Sequence, residues 1–119
     1  MAEKWFSGFA DELAQCLLDA ERCAEACEAS LETVRNTDDA ELRTIVVQAL
    51  VAPAAIARVL SEFPDESANL VLAICHLCRD VTTAAAEQLD ALGTRIDGTD
   101  TIAALLALAG SCGRLLEAA

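Results

Sequence analysis

The sequence predicts an all-α protein: an antiparallel up-down-up-down four-helix bundle forming a single domain over residues 1–119. Three observations carry this. Apolar residues recur at spacings of three and four along four segments, the period of one helix face and not of a strand. Five glycines and two prolines leave those segments almost uninterrupted. The breaks between segments are short and polar, and short connections set consecutive helices side by side and antiparallel. A chain of this length buries a real core. With no tyrosine, three phenylalanines and one tryptophan, that core must be aliphatic.

The first helix is expected from about Glu3 or Ser7 to Arg35, ended by the polar run Asn36-Thr37-Asp38-Asp39. Its inward stripe reads Leu13, Cys16, Ala20, Cys23, Cys27, Ser30 and Val34. Asp38 or Asp39 caps the second helix by accepting from its free backbone amides. That helix carries Leu42, Val46, Ala49, Pro53, Ile56 and Leu60 inward. Pro53 removes one backbone hydrogen bond and predicts a kink. Phe63-Pro64-Asp65 ends the helix. The third runs from Asp65 or Glu66 to Leu92 with Val71, Cys75, Cys78, Thr82, Ala85, Leu89 and Leu92 inward. Gly93 terminates it, since glycine accepts the left-handed cap conformation. The fourth, capped by Thr99 or Asp100, runs to the C-terminus on Ile102, Leu105, Ala109, Cys112 and Leu116.

Charge narrows the partners. Twenty acidic against eight basic residues give a net charge of −12, which repels phosphate backbones and anionic lipid, so neither nucleic acid nor membrane is expected. Met1-Ala2-Glu3-Lys4-Trp5-Phe6 lacks the pattern of a secretory signal, and no uncharged run reaches the roughly 18 residues of a membrane span. The expected compartment is the cytoplasm, where thiols stay reduced. Acidic residues between seam positions on the first helix, such as Asp19, Glu21, Glu25 and Glu28, read as a solvated face.

All six cysteines fall on the inward stripes. Counting helical rise back from each turn places Cys75 level with Pro53 and the region of Cys23. The same count puts Cys78 between Cys23 and Cys27, and Cys112 near Cys27. Five thiols are thus expected in one layer. Cys16, two turns from Cys23 and roughly 10 Å along the axis, stands apart. Cys23 and Cys27, like Cys75 and Cys78, project two sulfurs from successive turns of one face. Such a pair suits a two-coordinate, soft, monovalent ion, and thiolates select Cu(I) among first-row metals. Because a lone thiolate is costly in an aliphatic interior, binding and deprotonation must be coupled. Zn(II) and an iron–sulfur cluster are the competing occupants, although structural zinc sites draw paired cysteines from turns. The competing reading of the same residues is inert packing, because unpaired cysteine buries like a small hydrophobe.

Cys23-Ala24-Glu25-Ala26-Cys27, within Leu18 to Glu32, and Cys75-His76-Leu77-Cys78-Arg79-Asp80 resemble the helical pairs of the cysteine-rich four-helix-bundle copper-binding proteins, the cytosolic copper storage family. The resemblance extends to helix number and length. It implies an interior lined with cysteines that hold Cu(I), and bundles that assemble into oligomers. By that likeness Cys23, Cys27, Cys75 and Cys78 are ligands, with Cys112 and Cys16 added by position. Family members carry more cysteines on all four helices, whereas this chain has none on the second and holds Ala20, Ser30, Thr82, Ala85 and Ala109 at seam positions. A small cluster, or a relative that has lost metal binding, is implied in place of a high-capacity store.

Other chemistries lack their residues. His76 adjoins Cys75 but points roughly 100° away, a surface position. No Glu-x-x-His pair exists for a di-iron site. A redox thiol belongs at an exposed helix N-terminus, and Cys75 lies turns inside its helix. No strained glycine turn presents a serine nucleophile. No enzyme is expected. Trp5, Phe6 and Phe9 form an aromatic cluster at one bundle end. Ala103 to Ala109 is apolar around much of the fourth helix, which points to self-association. Two functions follow from different classes: Cu(I) sequestration by Cys23, Cys27, Cys75, Cys78 and Cys112, with Cys16 as an outlying or access site, or a helical interaction module whose cysteines only pack.

Overall fold

In the computed structural model, which describes residues 10–62 and 68–118, four long helices account for most of the chain: α1 Ala10–Arg35, α2 Ala40–Glu62, α3 Ala68–Ala91 and α4 Thr99–Ala118. No strand occurs among the described residues. The start of the first helix, the aromatic group Trp5, Phe6 and Phe9, and the Phe63-Pro64-Asp65 turn lie outside them.

Each helix packs on its sequence neighbours, and α4 closes against α1. Pairings along α1 and α4 run in opposite senses: Cys16 meets Cys112, Asp19 meets Ser111, and Ser30 meets Thr101. The α3–α4 pair runs the same way, with Arg79 beside Gly113 and Leu89 beside Gly98. The result is an elongated four-helix bundle, 51 × 20 × 17 Å.

The ends of the elements follow from local chemistry. Asp39, and not Asp38, caps α2: its Oδ1 accepts from the Leu42 amide at 3.0 Å. That bond holds the Asp39 carboxyl below its ordinary range, helped by Arg95. Being depressed in the fold, it adds stability above the unfolded carboxylate pKa near ~4, and that stability is lost as pH falls through the folded value. Asp39→Ala should therefore lower the melting temperature at neutral pH, and the difference from the parent should shrink in acid. Gly93 ends α3 with a φ of +57° and leads into the 3-10 turn Gly93–Arg95. Thr99 and Asp100 do not cap α4. The Gly98 carbonyl accepts the first helical bond, from the Ile102 amide at 2.8 Å, so the buried Gly98 holds the cap position and Thr99 and Asp100 fall in the first turn.

The core is built mainly from small residues and leucines. Leu50, Leu60, Leu89, Leu105, Leu108 and Leu115 are the largest fully buried side chains, and Pro53 is buried within an α2 that continues through it. Each leucine contributes roughly 1.5–3 kcal/mol by leaving water. On α4, Leu105 and Leu108 are buried, Ala109 is half-buried and Leu106 is exposed. The helices α2 and α4 are each long and apolar enough to cross a membrane by length and composition alone. Their inward faces are used here to close the bundle.

Candidate metal centre

The six cysteines are all fully buried and unbridged. The helical period sets this, because residues three and four apart share a face and that face is the packed one. No cysteine lies on α2, so three walls of the interior carry sulfur and the fourth is aliphatic.

The thiols do not meet in one five-membered layer. Cys16 of α1, Cys75 of α3 and Cys112 of α4 form a trio whose sulfurs all lie within 4.8 Å of one another. The Cys16 and Cys112 sulfurs are 3.7 Å apart. Cys78 interacts with Cys112 at the edge of the trio. Cys23 and Cys27 pair separately, sulfur to sulfur at 4.0 Å, farther along α1. Cys16, expected to stand apart, is thus at the centre, and Cys23 and Cys27, expected opposite Cys75, Cys78 and Cys112, are not. Height counting treats helices as untilted and each turn as flat. Small offsets at successive turns add, and here they amount to two turns of α1 for Cys75, roughly 10 Å, and three for Cys112, roughly 16 Å.

Electrostatics within each group is asymmetric. The Cys75 sulfur accepts from Cys112 and from Cys16, which lowers its thiol to about 4. Cys16 is pushed up by its hydrogen bonds to Cys112 and Cys75 and by burial. For Cys112 the bond with Cys16 pulls down, but Cys75, Cys78 and burial together push the thiol up. In the pair, Cys27 lowers Cys23, while Cys23 and burial raise Cys27. One sulfur in each group is therefore the acceptor and the first to lose its proton.

These directions carry a stability prediction. Cys16, Cys27 and Cys112 stay protonated in the fold at pH values where an unfolded thiol ionises, near ~8.5. Above that pH the native state binds more protons than the unfolded one, so stability falls as pH rises. Below it, the depressed Cys23 and Cys75 act the other way, and stability rises with pH toward that value. Urea unfolding of the metal-free protein should show a maximum near the unfolded thiol pKa and a decline beyond it. The decline should flatten in a Cys16→Ser/Cys112→Ser variant.

Asp19, expected on the solvated face, is buried. It is only 6% exposed, with a carboxylate that accepts from Ser111 and from Gln15 Nε2 at 3.1 Å. Arg114 Nη2 donates to Ser111 Oγ from outside at 3.0 Å. The carboxylate sits three residues from Cys16 and four from Cys23, on the seam by spacing. Its acidic neighbours Glu21, Glu25 and Glu28 are exposed, as expected. His76 is exposed. Thr82 is buried on the seam and donates to the Cys78 carbonyl at 2.7 Å.

The donor set suits soft ions. All candidate ligands are thiols, and among the described residues no lysine, arginine or histidine is buried with them. The family model described as "Copper storage protein" matches residues 9–116. The chain belongs to the copper storage protein family. The match spans all four helices and all six cysteines of this copper storage family member. No curated protein and no solved structure matches the chain.

Proposed function

We propose that this copper storage family member sequesters Cu(I) in the cytoplasm through its buried thiols, as a binding protein and not an enzyme. The observation that supports this most is the Cys16–Cys75–Cys112 trio, three sulfurs brought from three helices to within 4.8 Å. Cys78, beside Cys112, extends that site. Cys23 and Cys27 form a second, two-coordinate site. Thiolates favour Cu(I), and a monovalent ion between two sulfurs leaves only one net negative charge in the dry core. Each ion displaces thiol protons, so loading depends on pH. A cleft between α1 and the start of α4 is lined by Ala26, Ser30, Thr33, Asp97, Asp100 and Thr101, of which Ala26 precedes Cys27 in the chain.

A second reading is favoured by one surface. An apolar groove between α2 and α3, lined by Ala55, Ile56, Val59, Ile74 and Leu77, leaves Val59 and Leu77 substantially exposed. It fits self-association, with nucleic acid and lipid repelled by the net charge of −12. Storage and self-association are compatible.

Anaerobic Cu(I) titration against a competing chelator tests the first reading. More than one equivalent held against the chelator supports storage. Binding no greater than in a variant with all six cysteines replaced by alanine leaves only the packing and self-association role.

A further inference from the structure

Charge separates the occupants of the Cys16–Cys75–Cys112 trio. A monovalent ion held by two thiolates, with the third sulfur still a thiol, carries one net negative charge, and so does a divalent ion held by three thiolates. Among the described residues the interior holds no basic side chain to offset that charge. The buried polar residues are Asp19, Thr82, Thr101 and Ser111, one acidic and three neutral. A net charge in an aliphatic core without a counter-charge costs free energy that the metal–sulfur bonds must outweigh. A trivalent centre bound by three thiolates has no net charge at all. A trivalent centre that also carries a lone pair is complete with three ligands in a pyramid, and needs no fourth.

We propose that the Cys16–Cys75–Cys112 trio is a binding site for a trivalent metalloid hydroxide, with arsenite as the type ligand. In the reaction the Cys16 and Cys112 thiols, the Cys75 thiolate and one proton from water meet neutral As(OH)3. Three As–S bonds form and three As–O bonds break. Each of the three protons leaves with a hydroxyl as water, so three waters depart and arsenic stays trivalent. No oxidant or reductant takes part, and the product is uncharged. The geometry meets the requirement for three converging sulfurs: they come from α1, α3 and α4, two of them are 3.7 Å apart, and all lie within 4.8 Å. Cys23 and Cys27 offer only two sulfurs and would leave arsenic one hydroxyl. The inference rests on the sulfur geometry and does not depend on copper binding.

The test is intact mass spectrometry of the reduced, metal-free protein after anaerobic incubation with sodium arsenite and desalting. A parallel sample is refolded from denaturant with arsenite present, so that access to the buried thiols is not limiting. The expected product gains one arsenic and loses three hydrogens. It should persist in Cys23→Ala/Cys27→Ala and vanish in Cys75→Ser, with circular dichroism confirming that both variants are helical. A product that keeps one hydroxyl and loses two hydrogens overturns the proposal. So does a three-hydrogen product that survives in Cys75→Ser, or the lack of any adduct after refolding. Cu(I) titration of the same preparations reports separately on storage.

Discussion

Replacing Cys16, Cys75 and Cys112 together by alanine is expected to remove the most tightly held Cu(I) while leaving Cys23 and Cys27 a residual site. The trio draws its sulfurs from three helices already packed in place, so little ordering is needed when an ion enters. Its loss removes the cluster shared between helices and leaves Cys78 without its Cys112 neighbour. The bundle itself should survive. Cys→Ala deletes one heavy atom per site from a seam where alanine already occurs at Ala20 and Ala85, a change on the scale of about 1 kcal/mol each. Chelator competition on the triple variant, with circular dichroism alongside, checks both halves. Unchanged tight binding would mean that the trio is packing and nothing more. The reciprocal variant, Cys23→Ala/Cys27→Ala, should keep the tight class and lose the weaker one.

Ser111→Ala is expected to be the most damaging conservative change away from the sulfurs. It removes the hydroxyl that donates to Asp19 and leaves a carboxylate 6% exposed, with the Gln15 amide its remaining donor among the described residues. A hydrogen bond to a charged group contributes about 1.5–3 kcal/mol, and an orphaned buried charge adds its desolvation cost. The melting temperature should fall by several degrees at least. Asp19→Leu/Ser111→Ala, which removes both polar partners, should be less destabilised than Ser111→Ala alone, because no unmet group remains. Ser30→Ala is the matched control. Ser30 pairs with the Thr101 hydroxyl at 2.6 Å, a neutral contact, so its loss is expected to cost about 1 kcal/mol. Urea unfolding of the four variants decides the matter.

How far the chain discloses its own structure differs between the two coordinates of a bundle. Position around each helix is legible, because spacings of three and four fix which side chains share a face. The burial of all six cysteines follows from that, as do the exposure of His76 and the role of Gly93. Position along the axis is not legible, because it depends on how helices tilt and how each turn closes. That is why Cys16, and not Cys27, lies against Cys112. The direct α1–α4 contacts set this register, and spacing within one helix carries no record of it. Asp19 was readable in part. A carboxylate three residues after one buried cysteine and four before another lies on the apolar seam, and that alone argues for a partner. The partner is Ser111, beside Cys112, which only the α1–α4 packing reveals.

The two thiol groups differ in what must move for an ion to leave. An ion gripped by Cys16, Cys75 and Cys112 is a rivet through three rods and departs only when the rods part, an event tied to opening of the whole assembly. One lodged between Cys23 and Cys27 touches consecutive turns of a single rod, so its escape requires no such separation. A vault and a till would then share one small molecule, with residence times set by helix parentage and not by the identity of the donor atom.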